Sequence, residues 1–463
     1  MSAIPGAARR PNAHALRRAH VARAPLALIA TAVVALATGC VRDSIDREAL
    51  VDSASCASCH PDAYREWAGS THAAASDDPV FRALLQYGQR TTGGALGSLC
   101  IGCHAPAALA TGATTDGTDL ADVPRHLQGV GCWGCHAIDE VTALHNGGLA
   151  RADDGVMRGG IAGAVDTPAH LSRRTALLAG DRIESSDACG GCHDVVVGDA
   201  AIEATYAEWH GSVFGPSGTL PVSCATCHMF GRDGQAAALP GMPVRRLHDH
   251  GFPGIDEALM AWPGRDAQAA GIARDLAPAL SAKLCVAPAA GGAEAEVTLD
   301  NVQVGHAFPS GVTHSRRVWV EVVATAGTAT LFASGRFRPG EVVSAAGDPS
   351  LWLMTSTFRG ADGAPVDFPW QAAGIDSELL PPAVTTDPLD PRYYHARSRR
   401  YAIAGVPDEV TIRVHVEPIG LDQLDALIAS GDLDPAVRAA MPRRTITSLD
   451  RTWRRADGFG CVP

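Results

Sequence analysis

The sequence predicts a multidomain protein: a mainly α-helical and irregular N-terminal domain, then a β-sandwich-like domain with short terminal helices. Three observations carry this reading. Residues 56–228 repeat a single cysteine–histidine motif and are punctuated by Gly and Pro. Beyond residue 295 apolar and polar side chains alternate with the period of two that half-buried strands require. Between them lies an Ala- and Pro-rich passage that reads as a helical connector. At 463 residues the chain exceeds one ordinary core, so two or three domains are expected.

The first 39 residues read as a targeting segment. Arg9, Arg10, Arg17, Arg18 and Arg23 precede an uncharged run from Leu26 to Leu36 that is short for a membrane span. The run stops at Ala37-Thr38-Gly39-Cys40, which is similar to the processing site of bacterial lipoproteins, where the cysteine becomes the lipidated first residue. An ordinary secretory signal with an incidental cysteine is the other reading. Export is expected either way, to the periplasm or to the outer membrane and cell surface, with a lipid at Cys40 as the contact with the membrane.

Ten of the 13 cysteines form five Cys-x-x-Cys pairs: Cys56/Cys59, Cys100/Cys103, Cys132/Cys135, Cys189/Cys192 and Cys224/Cys227. Each pair is followed directly by a histidine, in order His60, His104, His136, His193 and His228. Half a zinc site or a redox dithiol has no need of that neighbour. Covalent haem attachment does, because two thioethers hold the macrocycle while the adjacent histidine ligates the iron. Five covalently attached haem c groups are therefore expected, bound by the ten cysteines and ligated through the five histidines. Aromatic residues make up only 5% of the chain, thin material for a core unless macrocycles fill the interior. The formal net charge of −12 excludes a nucleic-acid partner, which would need a concentrated basic surface.

The motifs and the signals that follow them place the haem-binding domain at residues 40–254. Short helices are expected at Pro61 to His72 and Pro79 to Tyr87, with little β structure. Residues 255–294 read as the connector and 295–463 as the sandwich-like domain. Val297 to Val304, Arg317 to Val323 and Val410 to Val416 are its clearest strands, and Leu421 to Met441 reads as one or two helices broken near Asp432 to Pro435. Cys285 and Cys461 bracket this domain. An oxidising compartment would let them pair, and free cysteines are an equally open reading. A weak internal repeat aligns Glu66-Trp67-Ala-Gly-Ser70-Thr-His72 with Glu208-Trp209-His-Gly-Ser212-Val-Phe214.

Residues 53–254 resemble the multihaem cytochromes c related to hydroxylamine oxidoreductase and its small tetrahaem electron carrier. The resemblance rests on Glu66-Trp67 through His72, Gly129-Val-Gly-Cys132-Trp-Gly-Cys135-His136, Cys189-Gly-Gly-Cys192-His193-Asp194 and Val222-Ser-Cys224-Ala-Thr-Cys227-His228-Met229. His250-Gly-Phe252-Pro-Gly254 and Gly305-His306-Ala-Phe308-Pro309 look like the family's closing segments. The resemblance implies a multihaem cytochrome c domain in which His72, His170 and His250, followed by His306 and His248, supply the second iron ligands. Five motifs match neither the four of the small carrier nor the eight of the oxidoreductase, and Phe214 stands where the first repeat copy has His72.

What fills the sixth position of each iron separates two functions. Closed irons make an extracytoplasmic electron-transport protein that works between redox partner proteins. One open iron makes a haem-dependent oxidoreductase acting on a small nitrogen or sulfur compound. The Cys-x-x-Cys-Lys motif of the pentahaem nitrite reductases is absent, since the only lysine is Lys283. Electron transfer is the expectation, with the sandwich as a docking or self-assembly module.

Overall fold

The computed structural model describes residues 45–463, of which Asp46–Pro463 form one compact unit. The targeting segment and the lipidation reading at Cys40 lie outside the described residues.

The N-terminal part is built from short helices joined by turns. Pro61 and Pro79 each occupy a first helical turn, where a missing N–H costs nothing, and open the helices Pro61–Ala68 and Pro79–Thr91. Asp78 caps the second by accepting from the N–H groups of Val80 and Phe81. Against expectation, this part also contains four two-stranded ladders. Ile138–Val141 pairs with Leu149–Arg151, Val156–Gly159 with Leu171–Arg174, Val195–Val197 with Ala200–Glu203, and Gly231–Gln235 with Val244–His248. With few long helices to satisfy its backbone, this part pairs locally. Strands this short leave no readable alternation in the sequence.

The C-terminal part is a two-sheet sandwich. One sheet runs in the order Arg397–Ala404, Gly292–Asp300, Ser281–Ala289, Gly460–Val462. The other centres on Arg317–Ala326, which pairs in continuous antiparallel register with Glu409–Glu417, from Arg317 opposite Glu417 to Thr325 opposite Glu409. Alternate residues of the inner faces meet in one core that includes Leu284, Val297, Leu299, Val320, Ile412 and Val414. This is the period-two pattern of the sequence made physical.

The 255–294 passage is only partly a connector. Its helix is Arg265–Ala279, whose Ile272 and Leu276 pack into the sandwich core, and from Ser281 the chain is already the first strand. Pro288 and the flanking alanines mask the alternation of Ala282, Leu284 and Val286. The expected helices after Leu421 are Leu421–Ala429 and Pro435–Ala440, with Asp434 capping the second.

The two parts share side chains. Val80 and Ala83 pack with Leu421, Leu424 and Leu427, and Arg90 grips Asp432 through two hydrogen bonds of 2.6 Å. Cys285 and Cys461, opposite each other on neighbouring strands, form a disulfide that ties the last strand of the chain to the first of the sandwich. Replacing both with serine is expected to lower the unfolding free energy by about 2–4 kcal/mol, measured by denaturant titration, without altering the visible absorption spectrum.

Candidate metal centres

The attachment motifs lie on single turns of helix. Ile101–His104, Cys132–His136 and Cys224–His228 are α-helical, Cys56 and Ser58 fall in a 3₁₀ turn that Cys59 ends, and Ser186–Gly190 leads into Cys192. The N–H of the histidine returns to the carbonyl of the first cysteine at 2.8 Å for His60, 3.1 Å for His104 and 2.9 Å for His193. Residues three and four apart on one turn share a face, so both cysteines and the histidine of each motif address the same ligand. At Gly129, just before the third motif, φ is +70° and a Cβ would lie 2.5 Å from the Ala73 carbonyl, so only glycine lets the chain pass.

All five motif histidines are oriented by a hydrogen bond from Nδ1. His60 donates to the carbonyl of Ala236 at 2.6 Å, His104 to Ala75 at 2.8 Å, His136 to Arg158 at 2.5 Å and His228 to Pro253 at 2.9 Å. A carbonyl only accepts, so the proton sits on Nδ1 and the Nε2 lone pair is left for a metal. His193 differs in that its Nδ1 donates to the Glu203 carboxylate at 3.2 Å, which the hairpin following the fourth motif folds back to the ring.

Four of the five rings face a second histidine. The ring centres are 6.3 Å apart for His60 and His170, 6.3 Å for His136 and His250, 6.3 Å for His228 and His306, and 6.1 Å for His193 and His72. The first three pairs are nearly parallel, at 29°, 24° and 15°. These separations are too long for stacking. They fit two imidazoles on opposite sides of one metal, which stand about 6 Å apart when each metal–nitrogen bond is about 2 Å. The residues therefore fit iron held between two histidines.

The facing histidines are held towards the neutral form, the one in which an imidazole can ligate a metal. Burial, with the neighbouring imidazoles, takes His72 down to about 3; burial likewise takes His250 and His306 to about 4 and lowers His170. His170 and His306 donate from Nδ1 to the carbonyls of Leu171 and Ala307 at 3.1 and 2.9 Å. Phe252 presents its edge between His72 and His250, 4.5 and 5.9 Å from the two ring centres, and fixes both.

Two sequence expectations meet a different environment. His248 faces none of the motif histidines. The ladder opposite Gly231 holds it with Nδ1 donating to the Met229 carbonyl at 2.6 Å and Nε2 3.2 Å from Asp181, which makes it an anchor of the backbone. Phe214 lies beside Gly305 and leaves His306 free to face His228. Among the described residues the motif histidine with no facing histidine is His104, whose ring stacks on Phe81 at 4.0 Å and 10°.

Cys59 stands at the end of the 3₁₀ turn Ser53–Ser58, half-buried, with its N–H donating to the Cys56 carbonyl at 3.2 Å and the Ser58 hydroxyl 3.9 Å from its sulfur.

The residues around the cysteines show which motifs adjoin. The Cys132 N–H reaches Ser53 just before Cys56, Gly147 lies against Cys103 and bonds Gly191 between Cys189 and Cys192, and the Cys224 N–H reaches Ser186 just before Cys189. Thus the first motif neighbours the third, the second neighbours the fourth, and the fourth neighbours the fifth. Spatial order departs from chain order.

Oriented histidines behind repeated Cys-x-x-Cys pairs, with further histidines opposite, are the arrangement of a multihaem c-type cytochrome, and the residues fit haem c. The comparisons agree. Residues 55–137, which hold the first three motifs, match the family described as cytochrome c554 and c-prime. The fold is similar to that of the penta-heme cytochrome c552 from Thermochromatium tepidum, with a TM-score of 0.58 and 20% sequence identity over 86% of this chain and 97% of that one. No curated protein sequence matches the chain.

Proposed function

We propose that the chain is an exported electron carrier with five haems, four of them closed by two histidines each: His60 with His170, His136 with His250, His193 with His72, and His228 with His306. The four facing pairs carry this reading, because each joins one motif histidine to one histidine from elsewhere at the spacing of a shared metal. Haem iron so ligated supplies a one-electron couple. The chain's own part is to hold the imidazoles, through their Nδ1 bonds and their burial, in an arrangement that changes little between oxidation states. Contacts between motifs one and three, two and four, and four and five favour passage from one centre to the next.

Export is supported by the arginine-rich and apolar segment before Cys40 and by the Cys285–Cys461 disulfide, which suits an oxidising compartment. Among the described residues no helix is long and apolar enough to cross a membrane, so attachment would rest on a lipid at Cys40. Donor and acceptor are redox proteins, and the sandwich is the surface offered for docking or self-assembly.

A second reading follows from His104. With Phe81 against its ring and no histidine opposite, the haem of the second motif would keep a position for a small nitrogen or sulfur compound. The second motif adjoins the fourth through Gly147, which lies against Cys103 and bonds Gly191, so electrons from such a reaction would enter the chain there.

Intact mass of the holoprotein should show five haem additions, and fewer would sink the pentahaem assignment. In EPR of the oxidised protein we expect low-spin signals from the four paired sites and a separate high-spin signal from the site of His104, which alone takes up CO when reduced. Turnover of hydroxylamine or nitrite by the reduced or oxidised protein would decide for the second reading; CO uptake without turnover keeps the carrier.

His72→Ala is expected to convert one further centre, that of His193, to high spin. Glu203→Gln replaces a carboxylate by an amide behind the same ring and should raise that centre's potential by roughly 60 mV, equivalent to a tenfold change in relative ligand affinity. A redox titration that leaves all five potentials in place would remove Glu203 from that role.

A further inference from the structure

Two stretches of chain make the same hydrogen bonds in the same register. They are Tyr64-Arg-Glu66-Trp67-Ala-Gly-Ser70-Thr-His72 and Tyr206-Ala-Glu208-Trp209-His-Gly-Ser212-Val-Phe214. In each, the tryptophan Nε1 donates to the carbonyl of the valine two residues before a motif: Trp67 to Val130 at 2.8 Å, ahead of Cys132, and Trp209 to Val222 at 3.0 Å, ahead of Cys224. The valine N–H returns to the end of the stretch, Val130 to the His72 carbonyl at 2.8 Å and Val222 to the Phe214 carbonyl at 3.0 Å.

The correspondence extends to the preceding motif. The N–H of Cys132 donates to Ser53 Oγ at 3.0 Å and that of Cys224 to Ser186 Oγ at 3.1 Å, and each serine stands three residues before the earlier motif's first cysteine. Tyrosine and tryptophan rings sit 5.7 Å apart at 43° in one stretch and 5.4 Å at 51° in the other. The chain thus holds two copies of one two-motif module, the first with Cys56 and Cys132, the second with Cys189 and Cys224. The Cys100 motif stands outside the repeat.

Within each module the glutamate reaches a loop that returns from far along the chain. Glu66 accepts from the backbone N–H of His250 at 3.1 Å and is braced by Arg232 at 3.0 Å. Glu208 accepts from the backbone N–H of Ala307, the residue after His306, at 3.1 Å and from the Ser310 hydroxyl at 2.7 Å. Those loops carry the histidines that face the second motif of the same module, His250 opposite His136 and His306 opposite His228. One short segment therefore holds both sides of the site. Tryptophan fixes the approach to the motif, and the neighbouring glutamate fixes the loop opposite.

We propose that Glu66 and Glu208 are positioning residues of equivalent role, each holding the returning loop so that His250 or His306 closes the second centre of its module. The proposal rests on reading those histidines as iron ligands. A carboxyl oxygen accepting from a backbone N–H supplies a directional tie that packing of a glycine-containing loop does not.

The test uses the full haem-loaded protein and compares Glu66→Ala and Glu208→Ala with His250→Ala and His306→Ala, by EPR of the oxidised form and CO uptake of the reduced form. Glu66→Ala should shift part of one low-spin signal to high spin and raise CO uptake above wild type by up to about one equivalent, matching the site that His250→Ala opens. Glu208→Ala should do the same at the site that His306→Ala opens, and the double variant should show both changes. Glu66→Gln and Glu208→Gln keep an acceptor oxygen and should stay close to wild type. Should an alanine variant lose haem on intact mass, Glu66→Asp and Glu208→Asp, one methylene shorter, are read in its place. Glutamate variants that match wild type while the histidine variants open their sites would overturn the positioning role. Histidine variants that open nothing would instead defeat the ligand reading beneath it.

Discussion

Everything in the N-terminal part is subordinate to the direction in which five imidazoles point. A histidine next to a thioether pair can reach an iron only if its ring turns under the macrocycle, and a free ring would lose that orientation to rotation about χ1 and χ2. The acceptors behind Nδ1 remove this freedom, four of them backbone carbonyls and one the Glu203 carboxylate. Because the acceptors come from remote residues such as Ala236 behind His60 and Pro253 behind His228, the chain must fold back to satisfy each ring. Short helices, tight glycine turns and two-stranded ladders are the means of doing so.

The two parts of the molecule solve the burial problem differently. The sandwich packs against itself, with valine, leucine and isoleucine alternating into a common core. The N-terminal part buries Leu85, Ile101 and Leu120 together around Gly117, and elsewhere its buried residues include many small ones such as Ala73, Ala74, Ala107 and Ala108. That composition suits a chain laid around large flat groups. The parts are also not independent. The sandwich contributes His306 on the loop Gly305 to Gly311, and the loop is tied to the N-terminal part through Glu208, Thr205 and Ser310. These ties fix the placement of His306 relative to the N-terminal part.

Legibility followed locality. The attachment motifs are readable because their chemistry is confined to one helical turn, and the sandwich strands because their alternation is regular along Arg317–Ala326 and Glu409–Glu417. His72, His170, His250 and His306 were named from resemblance and lie opposite motif histidines, but their partners could not be read. His248 was indistinguishable from them in sequence, two residues from His250, and only its ladder with Gly231 turns it to Met229 and Asp181. The Glu-Trp repeat was visible. The serines before Cys56 and Cys189, which complete the module, were not, because nothing but a backbone hydrogen bond distinguishes them.

By itself, the sequence determined the attachment chemistry, the identity of the motif histidines and the change from irregular to β architecture, since each depends on residues within a few positions of one another. Tertiary structure alone decided which histidine faces which, that His104 meets Phe81, that Glu203 backs His193, and that motif one adjoins motif three. Those are relations between distant segments, set by which acceptor or core each returning segment finds, and no local spacing encodes them.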